Sequence, residues 1–556
     1  MPGEERSGVG RRRFLALAGG AAGAAGLAGC SGVIGNDPDT GTSERTGTES
    51  DSATGTTGTP ETTETTTDPE DDGAAFPITV TQGQFPPGLD PHAHRQTPAD
   101  NVLLHCYEGV LARDRYGRIV EGLATNYERL QNGNEVRFEI REDVSFHDGS
   151  TLTPEDVAYS VNRVVDESTG FRSPQRGQLD GVSGASVVDG EPAVEVTSSG
   201  INPVVFSAFA SYCDVLSKRW MDEHEHSYLS SHAMGTGPFV LESFEAGRRI
   251  VMSRFDGYWN EPAEVTEVTF TAETDSGARV ESLLNGESTI VTDVPPAGVG
   301  RINDSRTARV ASTPSTRILF AAMRHDVKPF DSATFRRAMN LAVDLTSVVE
   351  NVLQGFGEQT GQPTLEGFTG HDSNVKPYPY DPEQAEQLVE ESGYAGAELT
   401  LHVPVGRYLK GVEIAQSVAG YVDELPNVSA TVKRREFQSF ASDLLSPTDR
   451  DDPAWYLAGW GEPTTDGAFV MRPLLSSTGR LSTWSNDEFD QLLERANTRT
   501  GDERANVLTE ANKLAHDRTP WIFLNRQYSV YGVSSDVAWD PRRDERLDAY
   551  EMSRDD

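Results

Sequence analysis

Short segments in which hydrophobic and polar residues alternate mark the predicted strands of this chain. Ile78 and Val80 alternate with threonines just after Phe76, and the segment VRFEIREDVSF at 136–146 repeats the same pattern. A period of two is typical of a strand that has one buried face. We therefore expect the folded part of the chain to begin near Phe76.

The stretch FHDGSTLTPEDVAYS at 146–160 joins the second of these strands to a predicted helix. Thr153 suits the N-cap, Pro154 suits the first turn, and valines follow at helical spacing. His147 and Asp148 could form a catalytic pair, but neighbours in an extended strand point to opposite faces. The chain has no G-x-S-x-G, H-E-x-x-H or phosphate-loop motif. We therefore interpret His147 and Asp148 as a turn.

Helices and strands alternate in the second half of the chain. Asp331 and Asp381 are the predicted caps of two helices, and the second of these helices is expected to end at Gly393. The segments AELTLHV and SATVKRREF are predicted strands on either side of a further helix. This order predicts an α/β domain with a largely parallel sheet. Ahead of it, Gly247 is the predicted turn of a β-hairpin.

The first 75 residues have a different composition. Arg11 and Arg12 precede an uncharged apolar run that ends in LAGC at Cys30, and this run is too short for a lasting membrane span. The pattern resembles a twin-arginine export signal with a lipobox, so we expect residues 1–30 to be a lipoprotein signal segment, cleaved ahead of Cys30, which then carries the lipid. The threonine-rich residues 31–75 cannot bury enough apolar surface to fold, and they predict a disordered tether.

The charge of the chain is strongly acidic, with a formal net charge of −39. The acidic residues are spread over the whole chain, which favours a surface adapted to strong salt. Nucleic acid is an improbable partner because no basic patch is available for phosphates. Cys106 and Cys213 suit buried positions, and a bridge between them stays open.

Four separated segments together resemble family 5 extracellular solute-binding proteins, the peptide-, dipeptide- and nickel-binding group of ABC importers. They are VSFHDGSTLTPEDVAYSVNRV, GTGPFVLESFEAGRRIVMSRFDGYW, KPFDSATFRRAMNLAVD and YPYDPEQAEQLVEESGY. The resemblance implies a two-lobed α/β periplasmic-binding-protein-like fold with a ligand cleft between the lobes. It also implies a monomeric receptor that is not an enzyme, needs no cofactor, and delivers its solute to a membrane permease and its ATPase.

The resemblance also implies domain boundaries. The first lobe would run over 76–317 with an extra subdomain at about 113–233, and the second lobe over 318–520. Residues 521–556 would return to the first lobe. The segments 317–324 and 521–532 are the candidate crossings between the lobes.

The ligand-binding residues that the resemblance implies lie in two loops. In peptide-binding members an acid three residues after a Gly-Trp pair holds the amino terminus of the ligand. Here Trp460 matches, but Pro463 takes the place of that acid, and the nearby acids are Glu462 and Asp466. Either acid could instead be a solvated surface residue. Gln82 and Gly83 follow the first strand, in a loop whose backbone faces the ligand in this family.

Histidine clusters raise the possibility of a different cargo. His224, His226 and His232 lie close together, as do His92 and His94, and imidazole binds transition metals. A solvated surface is the preferred interpretation, and no metal ligand is assigned. The alternatives to a peptide are a nickel or other metal complex and an oligosaccharide on the same scaffold. An exported hydrolase is disfavoured because no nucleophile, base and oxyanion donors come together in the sequence.

Overall fold

The computed structural model describes residues 75–130, 133–445 and 453–555. The predicted export signal with Arg11 and Arg12, the lipidation site Cys30 and the tether up to residue 74 lie outside the described residues. The strands are β1 (Pro77–Gln82), β2 (Leu111–Arg113), β3 (Ile119–Glu121), β4 (Ala124–Arg129), β5 (Glu135–Ile140), β6 (Val182–Val187), β7 (Ala193–Ser198), β8 (Phe239–Glu245), β9 (Arg249–Arg254), β10 (Glu267–Ala272), β11 (Ile290–Val291), β12 (Ala308–Met323), β13 (Gly357–Gln359), β14 (Ala397–Pro404), β15 (Val428–Arg435), β16 (Trp455–Gly461), β17 (Trp521–Ser534), β18 (Val537–Ala538) and β19 (Ser553–Arg554).

Helices cover the faces of the sheets. They are α1 (Thr97–Leu103), α2 (Pro154–Val165), α3 (Val205–Phe209), α4 (Lys218–Glu223), α5 (Ser276–Leu284), α6 (Pro296–Asn303), α7 (Ala333–Leu341), α8 (Leu345–Ser347), α9 (Pro382–Ser392), α10 (Gly411–Asp423), α11 (Phe437–Leu445), α12 (Gly467–Leu475), α13 (Asp487–Asn497) and α14 (Gly501–Arg518). A π-helical turn at Val348–Val352 continues α8, and short 3₁₀ turns lie at Glu167–Thr169, Pro174–Gly177, His226–Ser230 and Ala549–Glu551.

One large mixed sheet, eleven-stranded over the described residues, runs through the molecule. Its order is β15-β14-β16-β12-β17-β11-β1-β10-β9-β8, and β13 pairs with β17 off this path. β14 is parallel to β15 and β16, whereas β12 is antiparallel to both β16 and β17. The prediction of a largely parallel sheet was therefore wrong at its centre. The two candidate crossing segments lie in β12 and β17, and these long strands pair directly with each other.

A second, four-stranded antiparallel sheet has the order β4-β5-β7-β6 and packs on α2. Val157, Val161 and Val164 of α2 are buried against this sheet, as their spacing predicted. The Asp156 carboxylate accepts both the backbone N–H and the hydroxyl of Thr153, which fixes the start of the helix.

His147 and Asp148 form a turn, in agreement with the interpretation of the sequence. The ring Nε2 of His147 donates to the Gly237 carbonyl at 3.0 Å, whereas the Asp148 carboxylate accepts from Ser150 at 2.9 Å. Burial lowers the pKa of His147 to about 4, so the ring is neutral at pH 7. The two side chains serve different partners.

The predicted helix that starts after Asp331 is broken. The N-cap is Ser332, whose hydroxyl accepts from Phe335, and α7 already ends at Leu341. Asp344 then caps α8 by accepting from Ser347 at 3.0 Å. By contrast, α9 starts at its predicted cap Asp381 and ends at Gly393.

Large apolar clusters lie on both faces of the main sheet. Cys106 and Cys213 are both buried and free, so the bridge between them that the sequence left open is not formed. The hairpin of β8 and β9 turns at Gly247, whose φ of +72° favours glycine. Gly235 precedes this hairpin, and an added Cβ there would lie 1.9 Å from the Cys106 carbonyl oxygen.

Candidate functional site

A cavity of about 620 Å³ lies where residues after the carboxyl ends of β1 and β14 come together. Gln82 and Gly83 line it from one side, and Gly406 and Arg407 line it from the other. Residues of β12 and β17 and the C-terminal Glu545 form its floor. Loops that follow the carboxyl ends of strands are a common place for ligands in α/β proteins. We call this cavity the cleft.

Gln82 and Gly83 both line the cleft. The Gln82 amide donates to the Pro98 carbonyl at 2.8 Å and accepts from Asn101 at 3.2 Å, so its side chain holds the start of α1. At Gly83 an added Cβ would lie 3.3 Å from the Arg279 guanidinium. The backbone of Gly83 can therefore approach a ligand where a larger residue would crowd the wall.

A buried ion pair closes the floor of the cleft. Arg317 contacts Glu545 through two hydrogen bonds, Nε to Oε1 at 3.1 Å and Nη2 to Oε2 at 2.5 Å. Burial opposes the charge of Arg317, but the Glu545 carboxylate raises the pKa of Arg317 overall. This bidentate pair is satisfied internally, and it stays charged without a ligand.

Arg407 is a second cation of the cleft and, unlike Arg317, it has no carboxylate partner among the described residues. Its guanidinium lies over the rings of Tyr408 and Phe437, at 5.4 and 5.3 Å from their centroids, and has no hydrogen bond or ion pair with any described residue. Burial and the nearby guanidinium of Arg317 lower the pKa of Arg407. An anionic ligand group would relieve both effects.

Trp460 lies near the end of β16 and Glu462 follows that strand, beside the cleft floor. Gly461 lies between them, and its backbone pairs with Arg317 of β12. The Arg95 guanidinium lies 5.3 Å from the Trp460 ring centroid and stabilises the ring from one side. Trp460 is therefore held against a residue that is distant in sequence.

Glu462 is completely buried, with 0% of its surface exposed. Its Oε1 accepts the hydroxyl of Thr464 at 2.8 Å and lies 3.5 Å from the Tyr212 hydroxyl. Its Oε2 is buried and has no hydrogen bond of normal geometry among the described residues, and the nearby Trp460 indole N–H, also unpaired, favours the charged carboxylate. Burial raises the pKa of Glu462, although Arg95 favours the charged form. A buried carboxyl with an unused oxygen is able to bind a donor or a cation.

Asp466 lies in the same loop but has internal partners. Its carboxylate accepts both guanidinium nitrogens of Arg504, one of them at 2.8 Å, and also accepts the backbone N–H of Ala468 at 2.9 Å as the cap of α12. Asp466 and Arg504 are 6% and 4% exposed. These contacts give Asp466 a structural role in the geometry seen here.

An open groove of about 970 Å³ continues the cleft outward, and the two share Gly83, Asp293, Gly406 and Arg407. Four basic residues line the groove, namely Arg279, Arg407, Lys410 and Arg434, against the two acids Asp293 and Glu413. In a chain with a net charge of −39, this excess of basic residues is local. It favours the approach of an anionic group to the cleft.

The histidine clusters are engaged in packing. Tyr228 stacks on His224 and His232, with ring centroids 4.3 and 3.7 Å apart. His92 contacts the buried Arg163–Asp90 pair through its Nδ1 atom. In the part of the chain that the structure describes, no group of three or more His, Cys, Asp or Glu side chains is arranged to hold a metal ion.

Within residues 75–130, 133–445 and 453–555, no helix is both long enough and apolar enough to span a membrane.

Known proteins resemble this chain in both sequence and fold. The sequence model of the bacterial extracellular solute-binding proteins, family 5 Middle, matches residues 118–482. A dipeptide-binding protein of Escherichia coli is 23% identical over 438 residues, which cover 73% of this chain and 80% of that protein.

Two solved structures show the same fold. The periplasmic binding protein DppA from Helicobacter pylori, in complex with the peptide STSA, has a TM-score of 0.76 at 19% identity. The match covers 86% of this chain and 98% of the DppA chain. NikA from Staphylococcus aureus, in complex with Ni(L-His)2, has a TM-score of 0.74 at 18% identity and covers 86% and 100%.

The mixed sheet with a cleft between its two parts defines a two-lobed periplasmic binding protein, as the sequence predicted. The family match covers well over half of the chain. The chain therefore belongs to the family 5 extracellular solute-binding proteins of ABC transporters.

Sequence reasoning missed four charged residues that shape the site. They are Arg407, Arg95 and the Arg317–Glu545 pair, and they lie in segments without a recognisable motif. For the three arginines the available signal was the rarity of basic residues, which number 48 against 87 acids.

Proposed function

We propose that this protein is a lipid-anchored extracellular receptor that binds peptides or similar small solutes and delivers them to an ABC permease. The observation that carries the proposal is the pair of unmatched groups at the site. Glu462 has a buried oxygen without a hydrogen bond of normal geometry, and Arg407 has no ionic partner among the described residues. Binding a solute between the lobes requires no covalent chemistry.

The two groups suit opposite ends of a peptide. A ligand ammonium would be a charge-assisted donor to Glu462 and would compensate its burial. A ligand carboxylate would form a bidentate contact with Arg407, which the basic groove favours. Of the two acids that the sequence left open, Glu462 is the proposed amine partner, because the oxygens of Asp466 are already used.

A metal complex is the second candidate cargo. The observation that favours it is the structural similarity to NikA, which was solved with Ni(L-His)2. The carboxylates of such a complex would contact Arg407 in the way proposed for a peptide carboxylate. Cargo without an anionic group would leave that residue unmatched.

Anchoring and export are proposed from the sequence. Arg11 and Arg12 with the LAGC segment support a twin-arginine signal and lipidation of Cys30, and the threonine-rich residues 31–75 would give the folded part reach from the membrane. The even acidic excess supports a protein that works in strong salt. Cys30→Ser should release the protein from membranes into the medium, and retention of that variant in the membrane fraction would contradict the anchor.

Binding of modified peptides tests the proposed function. Isothermal titration calorimetry should show binding of short free peptides, weaker binding of their N-acetylated forms and weaker binding of their C-terminal amides. Glu462→Gln should weaken binding of the free peptide strongly and of the N-acetylated peptide little. Arg407→Gln should weaken binding of the free peptide strongly and of the C-terminal amide little. Arg306→Gln at an exposed position is the matched control. Binding of a nickel–histidine complex without any peptide binding would replace the peptide by the second candidate.

A further inference from the structure

A second cavity, of about 830 Å³, lies apart from the cleft. It is formed by the segment after α1, the residues after α3 and the C-terminal segment, and it shares no lining residue with the cleft. Apolar side chains line part of it, including Leu104, Leu111 and Phe209.

Asp214 presents an unmatched carboxylate to this cavity. Among the described residues its carboxylate has neither a hydrogen bond nor an ion pair, although its backbone carbonyl accepts from His92. Burial raises the pKa of Asp214 to about 6, and Arg546 partly offsets the effect. Asp214 is only partly buried, so its carboxylate is accessible from the cavity and has no partner among the described residues.

Arg546 presents the complementary cation. One guanidinium nitrogen donates to the Ser211 carbonyl at 2.6 Å, but Nε is buried and has no partner in the described part of the chain. Burial opposes its charge, yet Asp100, Asp544 and Asp214 together raise the pKa of Arg546. Arg546 and Asp214 influence each other's charge without forming an ion pair.

Glu108 also lines this cavity, and its carboxyl group is fully hydrogen-bonded. It accepts from the hydroxyls of Thr236 and Tyr258 at 2.7 and 2.8 Å and from the Trp259 indole at 3.1 Å. Asp214 has no such donors.

Asp548 also lines the cavity, and its carboxylate accepts the Tyr550 N–H at 2.9 Å. Among the lining residues, Asp214 is the carboxylate without a side-chain hydrogen bond in the described part of the chain, and Arg546 is a guanidinium with an unpaired buried nitrogen.

We propose that this cavity is a second binding site for a zwitterionic amino acid with an apolar side chain, whose ammonium contacts Asp214 and whose carboxylate contacts Arg546. Only a ligand with both charges satisfies both groups. The apolar lining takes up the side chain. The cavity shares no lining residue with the cleft, although its Tyr212 contacts Glu462, so the two sites are tested with separate variants.

Calorimetry with L-leucine as the probe tests the second site. The protein should bind L-leucine. Isocaproate lacks the ammonium and isoamylamine lacks the carboxylate, and each should bind at least about tenfold more weakly than L-leucine. Asp214→Asn and Arg546→Gln should each weaken L-leucine by about tenfold or more. The exposed residues Asp189 and Arg306 supply the matched controls, Asp189→Asn and Arg306→Gln.

A cleft variant separates this inference from the proposed function. Arg407→Gln should leave L-leucine binding unchanged, because Arg407 does not line the second cavity, and Asp214→Asn should leave peptide binding unchanged. Absence of L-leucine binding, binding of either analogue as tight as that of L-leucine, or loss of L-leucine binding in the Arg407 variant but not in the Asp214 and Arg546 variants would overturn the proposal. If the Asp214 or Arg546 variant does not fold, the analogues and a crystal structure with L-leucine decide the question on the unsubstituted protein.

Discussion

Replacing Asp466 by asparagine should destabilise the protein without removing its helix cap. Asparagine caps helices as well as aspartate does, so the contact with the Ala468 N–H survives. What is lost is the charge opposite Arg504, which is only 4% exposed. Leaving one member of a buried pair unmatched costs about 3–5 kcal/mol. For a folded unit of nearly 500 residues, about 1 kcal/mol shifts the melting temperature by about 1 °C, so we expect a loss of about 3–5 °C.

Glu462→Gln, by contrast, should not lower the melting temperature of the ligand-free protein at pH 7. Because burial raises the pKa of Glu462 above its ordinary 4.5, the folded state binds its proton more tightly than the unfolded state. Stability from this group is present below pH 4.5 and is lost as pH rises through the folded pKa. The glutamine keeps the Thr464 contact and removes that loss, so the ligand-free variant should melt at or above the wild type at pH 7.

The assay for both variants is differential scanning calorimetry of ligand-free protein at pH 7 and again near pH 4. An Asp466→Asn variant that melts within about 1 °C of the wild type, or a Glu462→Gln variant that melts clearly lower at pH 7, would refute the assignment of structural and ligand roles to these two acids.

Three further outcomes follow from burial and close packing. Gly235→Ala should abolish or severely weaken folding, because its Cβ would lie 1.9 Å from the Cys106 carbonyl oxygen, whereas Gly200→Ala, with open space around it, should melt like the wild type. Asp214→Asn should stabilise the ligand-free protein at pH 7 by at most about 3 kcal/mol, since the pKa of Asp214 rises from 3.8 to about 6, and denaturant titrations should show this gain vanish below pH 3.8. Burial raises the pKa of Cys106 to about 12 and also raises that of Cys213, so mass spectrometry should find both unlabelled by a maleimide until the protein is unfolded.

Local sequence patterns predicted the elements that are stabilised by their own residues. The start of α2 follows from Thr153 and Asp156, and the limits of α9 follow from Asp381 and Gly393, because caps are local contacts. The break after α7 was missed because the apolar spacing continues through it. Asp344 starts a new helical turn there, and its cap contact competes with continuation of the helix.

The sequence predicted only those residues of the site that lie in or next to a recognisable motif. Gln82 and Gly83 line the cleft, and Glu462 is buried beside its floor. The roles of Glu462 and Asp466 could not be separated in the sequence, because the partner of Asp466 lies 38 residues away in α14. Arg407 could not be singled out at all, since the absence of an ionic partner is a property of the folded chain.

We infer that binding is coupled to closure, because the loop that carries Glu462 contacts residues of the predicted first lobe. Thr464 accepts at its carbonyl from Ser207 at 2.9 Å and from Arg113 at 3.2 Å, and both residues belong to the predicted first lobe. These contacts bury Glu462, and burial alone disfavours its charge. A ligand ammonium removes that penalty only in the closed arrangement, so it binds this state more tightly and shifts the population toward it. We infer that the cost of burying Glu462 without a ligand keeps the empty receptor from closing as stably as the loaded one.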